Sequence, residues 1–224
     1  QQFGTNWEFT YSFSAVPEEI VTGNDLVTES RVYEDPVSGS RYRVPGLGPT
    51  PISVYITLIT SMFMHGGWAH LIGNMLYLWI FGDNIEDRLG HLRFIVFYLL
   101  CGILAALAHV LATYLIGGPT TTPMLGASGA ILAILGGYLL LFPRRRVRVI
   151  LLRILMAVPA WVAIIVWFAF QLISGMGVLG SGSQTGGVAY AAHIGGFVAG
   201  AVLVWIFAAG RPRRSGSGNR GYRR

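Results

Sequence analysis

The sequence predicts an all-α bundle of membrane-spanning helices with a water-facing segment ahead of it. Three observations lead there. Of 224 residues, 53% are hydrophobic and only 12% are charged, about half the charged share of an ordinary soluble domain. Mean hydropathy is +0.57. The apolar residues are gathered into runs, most compatible with the roughly 20 residues that cross a bilayer, and the arginines stand in short blocks at the ends of those runs, the pattern of the positive-inside rule.

Residues 1–50 differ from the rest. They carry most of the acids (Glu8, Glu18, Glu19, Asp25, Glu29, Glu34, Asp35) and many turn formers. They read as an outer, water-facing segment of short strands or turns that rests Trp7, Phe9, Tyr11 and Phe13 on the membrane surface. Residues 51–209 form the membrane domain. Ile52–Met64 is too short to span and precedes the helix-breaking His65-Gly66-Gly67, so an interfacial or re-entrant helix is expected. Five spans follow: Trp68–Glu86, Leu92–Ile116, Ser128–Phe142, Val149–Ile173 and Val188–Ala209. Residues 210–224, RPRRSGSGNRGYRR with the preceding glycine, read as a basic, disordered tail.

Orientation comes from the arginines. Arg88 and Arg93, then Arg144, Arg145, Arg146 and Arg148, then the tail, are separated by two crossings each and share one side, the cytoplasmic one. The acidic N-terminal segment then lies outside. An outside start at Gln1 with no leader implies one more span upstream, so five spans are expected here of a six-span core.

These features exclude several classes. The net charge of +6 belongs to span ends and not to a basic face with interleaved polar residues, so no nucleic acid is expected. Cys101, alone in an apolar run, reads as a small buried hydrophobe. His65, His70 and His193 are the candidates for a metal, yet no H-E-x-x-H is present and a five-residue separation sets His65 and His70 apart around a helix. Neither metal nor cofactor is expected. A transporter or channel would carry paired broken helices or mid-membrane charges; here the polar residues gather near one surface.

That gathering is the functional signal. Three spans run inward from the outer side. His70 and Asn74 lie in the first turns of one, Ser128 begins another, and His193 lies about one turn into the last. At 1.5 Å per residue all four fall within roughly 10 Å of the outer helix ends, where buried polar groups need a partner or a wet cavity. His70 and Asn74, four apart, share a helix face. Gly129, Ala133 and Gly137 on the third span, and Gly196 and Gly200 on the fifth, allow close packing that would set Ser128 beside His193. Imidazole is the usual base for a serine nucleophile. A helix N-terminus offers unpaired amides and a favourable dipole to an oxyanion, to which His70 and Asn74 could add donors. Gly126 and Gly129 let a substrate backbone approach. Against this stands the ordinary role of serine as a helix N-cap and of histidine or asparagine as glue between helices.

The segments HGGWAHLIGNM (65–75), GASGA (126–130) and AHIGGFVAG (192–200), with Glu86, Arg88 and Gly90 as an E-x-R-x-G turn, resemble the signatures of the rhomboid intramembrane serine proteases. The likeness covers roughly residues 50–209. It implies a rhomboid-like fold, Ser128 as nucleophile and His193 as general base in a dyad without aspartate, and an oxyanion hole of His70, Asn74 and the Ser128 amide. It also implies that His65 shapes the loop before the first span, that Ser174–Gly187 is a mobile cap, and that the fourth span is a side gate for substrate. Two departures stand out: the first of the family's six spans is not in this sequence, and Leu132 occupies the position, four after the serine, that often carries a ring stacked on the catalytic histidine.

The implied activity is hydrolysis of peptide bonds in or near transmembrane segments of other membrane proteins, at small or helix-breaking residues. The partners are then transmembrane substrates and the lipid bilayer. The expected location is a bacterial plasma membrane, multi-pass, with the C-terminus cytoplasmic and the active site opening outward. The alternative is an inactive rhomboid-like protein that binds or escorts membrane clients.

Overall fold

The computed structural model describes residues 6–34, 39, 41–151, 154–169 and 184–210. Its centre is α7 (Ser128–Leu141), whose residues Ala130 to Tyr138 are all buried. A helix apolar on every side is one surrounded by others. Here the neighbours are α6 (His91–Ile116) and α9 (Gln184–Ala208). Both contain stretches long and apolar enough to cross a membrane.

Small residues let α7 and α9 touch backbone to backbone. A Cβ on Gly196 would run into the Gly129 carbonyl, one on Gly200 into the Ala133 carbonyl, and one on Gly136 into the Phe197 carbonyl. Without a hydrophobic drive between helices in lipid, such close packing is what associates them. α6 joins through Ala105 and Ala108, which would be struck by a Cβ on Gly129 or Gly195. Its far side exposes Leu92, Ile95, Leu111 and Leu115, the surface a lipid-facing helix should have.

The first expected span is a continuous rod made of α4 (Trp68–Tyr77), a π-helical turn at Leu78–Gly82 and α5 (Asp83–Leu89). Phe81, Ile85 and Leu89 anchor its lower half in the core with Phe97 and Tyr138. Ahead of it the expected interfacial helix is shorter than anticipated, an α-helical turn α3 (Thr57–Thr60) running into a 3₁₀ turn at Ser61–Phe63.

The outer segment is more helical than expected. α1 (Trp7–Ser12) is capped by Asn6, whose side chain accepts from the Phe9 amide, and α2 (Pro17–Thr22) starts on a proline and ends at Gly23 in the left-handed conformation. Among the described residues of this segment, β1 (Arg31–Glu34) and β2 (Arg41–Val44) form the one strand pair, from Arg31↔Val44 to Glu34↔Arg41. Between α1 and α2 the chain pairs with the loop that precedes α7. Ala15 and Met124 exchange hydrogen bonds of 3.1 and 2.7 Å, and the Glu18 amide donates to the Thr120 carbonyl at 3.0 Å. The Thr120 hydroxyl donates to the Glu18 carboxylate at 2.8 Å, and the Thr60 hydroxyl to the Phe13 carbonyl at 2.8 Å. Glu19 is drawn inside, 1% exposed. Its Oε1 accepts from the Leu26 amide, while Oε2 has no partner among the described residues. Burial raises its pKa above the usual carboxylate value; the Leu26 bond opposes the shift and Asp25 adds to it.

One expected span is corrected. Val149 does not begin a helix: Arg146–Leu151 (β3) and Ile154–Pro159 (β4) pair antiparallel, from Arg146↔Pro159 to Leu151↔Ile154, and helix α8 begins only at Ala160, described to Ala169. The reason is visible in Arg-Val-Arg-Val, a period of two rather than 3.6, in β-branched valine and isoleucine, which favour strands, and in Pro159, which cannot extend a ladder. α9 also starts earlier than expected and takes up residues 184–187 of the anticipated cap. Positions 174–183 of that cap, and the tail from 211, lie outside the described residues.

Candidate active site

Ser128 is the first residue of α7, and Ala127 occupies the N-cap position without a capping side-chain bond. The serine is therefore not a cap. Its Oγ lies 2.8 Å from His193 Nε2, across a separation of 65 residues. The α7–α9 glycine contacts dictate this meeting, because Gly196 and Gly129, each one or a few residues from the pair, lie against one another. If Nε2 accepts from the hydroxyl, the neutral ring carries its proton on Nδ1, a buried atom with no partner among the described residues. The imidazole can thus take the serine proton, and among the described residues no carboxylate orients it from behind.

A ring does brace it. Tyr190 meets His193 edge-on, with centroids 6.0 Å apart and planes at 86°. Leu132, four after the serine, is buried and lines the same cavity. Tyr190 was not anticipated from the sequence; its three-residue spacing from His193 on one helix was the available clue.

The donor side is built on Gly126. Its φ of +114° favours glycine, and a Cβ there would fall 2.8 Å from His70 Nε2 and 3.8 Å from Asn74 Nδ2. The Gly126 amide is tied to the Ser61 carbonyl at 2.8 Å, which fixes the turn into α7. His70 Nδ1 faces the Gly66 amide at 3.4 Å, an arrangement that leaves the proton of a neutral ring on Nε2, toward Gly126. Asn74 is 8% exposed and its Nδ2 has no partner among the described residues. A buried donor held without an acceptor costs stability and is available to a ligand. The Ser128 amide, at the first position of its helix, has no intrahelical acceptor. His70, Asn74 and Ser128 line one cavity.

His65 lies closer to His70 than the sequence spacing implied, because it precedes α4 in a loop that folds back. The rings meet edge-on, centroids 5.2 Å apart. His65 Nδ1 is 3.2 Å from the Phe63 carbonyl. Burial lowers the His65 pKa, with the Phe63 bond opposing. Among the described residues no three His, Cys, Asp or Glu side chains are grouped to share a metal ion.

Ser128, His193, His70 and Asn74 line a cavity of about 500 Å³, walled otherwise by glycines and alanines and by larger apolar side chains, among them Met62, Tyr77, Met124, Leu132 and Trp167. Trp167, on α8, packs against Tyr77 of α4 with ring centroids 5.4 Å apart.

Comparison with known proteins agrees with this architecture. Residues 53–210 match the Rhomboid domain. The chain is 34% identical over 152 residues to Rhomboid protein 1, mitochondrial, of Saccharomyces cerevisiae, covering 67% of this chain and 41% of that protein. It is 30% identical over 149 residues to Rhomboid-like protein 11, chloroplastic, of Arabidopsis thaliana, covering 66% and 51%. It is 40% identical over 83 residues to Rhomboid protease GluP of Bacillus subtilis, covering 37% and 15%. The chain thus spans about half or less of the length of these relatives. Organelle and bacterial proteins both stand among them, so the likeness supports an integral membrane protein and does not support the expected bacterial plasma membrane over an organelle. With its helical bundle and residues 53–210 matched throughout, this chain belongs to the rhomboid family.

Proposed function

We propose that this chain is an intramembrane serine endopeptidase that cleaves peptide bonds in or near transmembrane segments of membrane proteins. The carrying observation is the 2.8 Å approach of Ser128 Oγ and His193 Nε2 in a cavity also lined by Asn74, whose buried Nδ2 has no partner among the described residues. His193 takes the proton as Ser128 Oγ attacks the scissile carbonyl carbon. The carbonyl oxygen becomes an oxyanion, received by Asn74 Nδ2, His70 Nε2 and the Ser128 amide. The imidazolium returns its proton to the leaving amine as the C–N bond breaks, leaving an acyl-serine. Water, deprotonated by the same imidazole, attacks the ester and releases the second product. The glycines and alanines of the wall, among them Gly126, Gly129, Ala130 and Ala192, favour small residues at the cut. The Tyr77–Trp167 contact supports α8 as the side wall a transmembrane substrate would displace. The orientation read from the arginines supports an active site that opens to the outer side.

The test is labelling of the full chain in proteoliposomes with a fluorophosphonate, together with cleavage of a fluorogenic transmembrane substrate. Both should occur and both should disappear in Ser128→Ala and His193→Ala. A folded wild-type chain that neither labels nor cleaves would overturn the protease reading in favour of a client-binding relative.

A further inference from the structure

Trp7 opens α1, yet it does not share the exposure of Phe9 on the same helix. Phe9 is 54% exposed, whereas Trp7 is partly buried. Thr10, three residues on and buried, shares its helix face. The neighbour of the indole is Gly66. A Cβ built there would lie 3.7 Å from Trp7 Cη2, 3.9 Å from His70 Nδ1 and 3.9 Å from Leu125 Cδ1. One glycine therefore stands between the outer segment, His70 of the first rod and the residue that precedes Gly126. We infer that Trp7 is a positioning residue for His70: its ring backs the His65–Gly67 loop and keeps the Gly66 amide on His70 Nδ1. The inference rests on the protease reading, in which His70 Nε2 donates to the oxyanion, and it assigns the outer segment a part in that site.

The bond that needs support is a long one. The Gly66 amide reaches His70 Nδ1 at 3.4 Å, beyond the usual range for an N–H donor. It nevertheless decides the tautomer, since a neutral ring that accepts at Nδ1 carries its proton on Nε2. Gly66 and Gly67 bring no side chain that could hold the loop, and Gly67 has a φ of +154°, a conformation that favours glycine. The restraint must come from outside the loop. His65 supplies part of it, with its ring edge-on to His70. Trp7 supplies a wall on Gly66 itself.

That wall is anchored. A six-residue helix does not persist by itself, and α1 is held by side chains. Tyr11 packs on Trp7 with ring centroids 5.3 Å apart. The Ser12 hydroxyl donates to the Glu8 carbonyl at 2.9 Å, and the Ser14 hydroxyl to the Thr10 carbonyl at 2.6 Å. The bond from Thr60 to the Phe13 carbonyl ties the end of the helix to α3. Asn6, Phe9 and Thr10 face His65, Gly67, Trp68 and Leu71 across a cavity of about 300 Å³. The rest of α1 thus leaves the loop loosely covered, and the indole is the part that reaches Gly66.

The test uses the full chain in proteoliposomes with a fluorogenic transmembrane substrate. Trp7→Ala should lower kcat by about tenfold, part of the hundredfold or so that one oxyanion donor is worth, with KM little changed. In a His70→Ala background the same substitution should have no further effect, because the group it positions is gone. Phe9→Ala, on the exposed side of α1, should leave kcat near wild type. Imidazole nitrogen chemical shifts of the chain in bilayers should show His70 protonated on Nε2, and a mixture of tautomers in Trp7→Ala. Trp7→Leu should show the same pattern in smaller degree and replaces Trp7→Ala if that variant does not fold. An active wild type whose kcat is unmoved by either Trp7 substitution would overturn the inference, as would a fall of equal size in the His70→Ala background. His70 shifts that Trp7 substitution leaves unaltered would overturn it even in a chain that cleaves nothing, so its failure is separable from that of the protease reading.

Discussion

The Tyr190 ring sets its edge against the His193 imidazole at 6.0 Å between centroids, three residues earlier on the same helix. Aromatic edge contacts of this kind contribute about 0.5–1.5 kcal/mol, and His193 Nδ1 has no other brace among the described residues. Tyr190→Ala is expected to lower kcat by about threefold to tenfold, with Tyr190→Phe close to wild type. Steady-state cleavage in proteoliposomes checks this. A deficit in Tyr190→Phe equal to that of Tyr190→Ala would assign the effect to the hydroxyl instead of the ring.

Asn74 offers a buried donor with no acceptor among the described residues. In Asn74→Ala the transition state loses one hydrogen bond while the ground state loses little. The expected fall in kcat is on the order of a hundredfold, about 3 kcal/mol, with KM nearly unchanged. Because the unpartnered donor is itself costly, thermal unfolding of the variant should show no loss of stability.

Gly200 has no room for a side chain. A Cβ there would meet the Ala133 backbone carbonyl, which can yield only if α7 and α9 move apart. Gly200→Ala is expected to destabilise by about 1–3 kcal/mol and to slow fluorophosphonate labelling at Ser128, although the change lies well below the dyad. Melting temperature and labelling rate, measured on one preparation, should fall together.

Glu19 predicts a pH dependence outside the membrane. Its pKa is raised in the folded chain by burial, with Asp25 adding to the shift; neighbouring Glu18 bonds to Thr120. A raised acid favours the folded state while it is protonated. The contribution is whole below the unfolded value of about 4.3 and is lost as pH rises through the raised folded value. Melting temperature should therefore decline over that range, and Glu19→Gln should flatten the decline. An unaltered pH profile in the variant would remove Glu19 as its origin.

Much of the bundle was legible in the sequence for physical reasons. α6 and α7 match the expected runs within a residue or so, because composition in lipid leaves few alternatives to helix. His70, Asn74, Ser128 and His193, which the structure brings to one cavity, stand out in the sequence because polar side chains are conspicuous in apolar runs and the spans set their depth. The hairpin was misread because an apolar run after arginines looks like a span unless its period is counted. Tyr190 escaped notice since a tyrosine near a helix end is unremarkable until its neighbour's bonds are known. The Ala15–Met124 pairing left no trace, being made of backbone atoms that every residue has.

The π-helical turn at Leu78–Gly82 works as a phase adjuster in the first rod. One extra residue per turn offsets everything above it from everything below by roughly 100°. Phe81, Ile85 and Leu89 lock the lower part into the core, so the azimuth of His70 and Asn74 is decided at that turn. Deleting a single residue between 78 and 82 would leave a smoother helix and swing both side chains away from Gly126, disarming the cavity without touching any group that lines it.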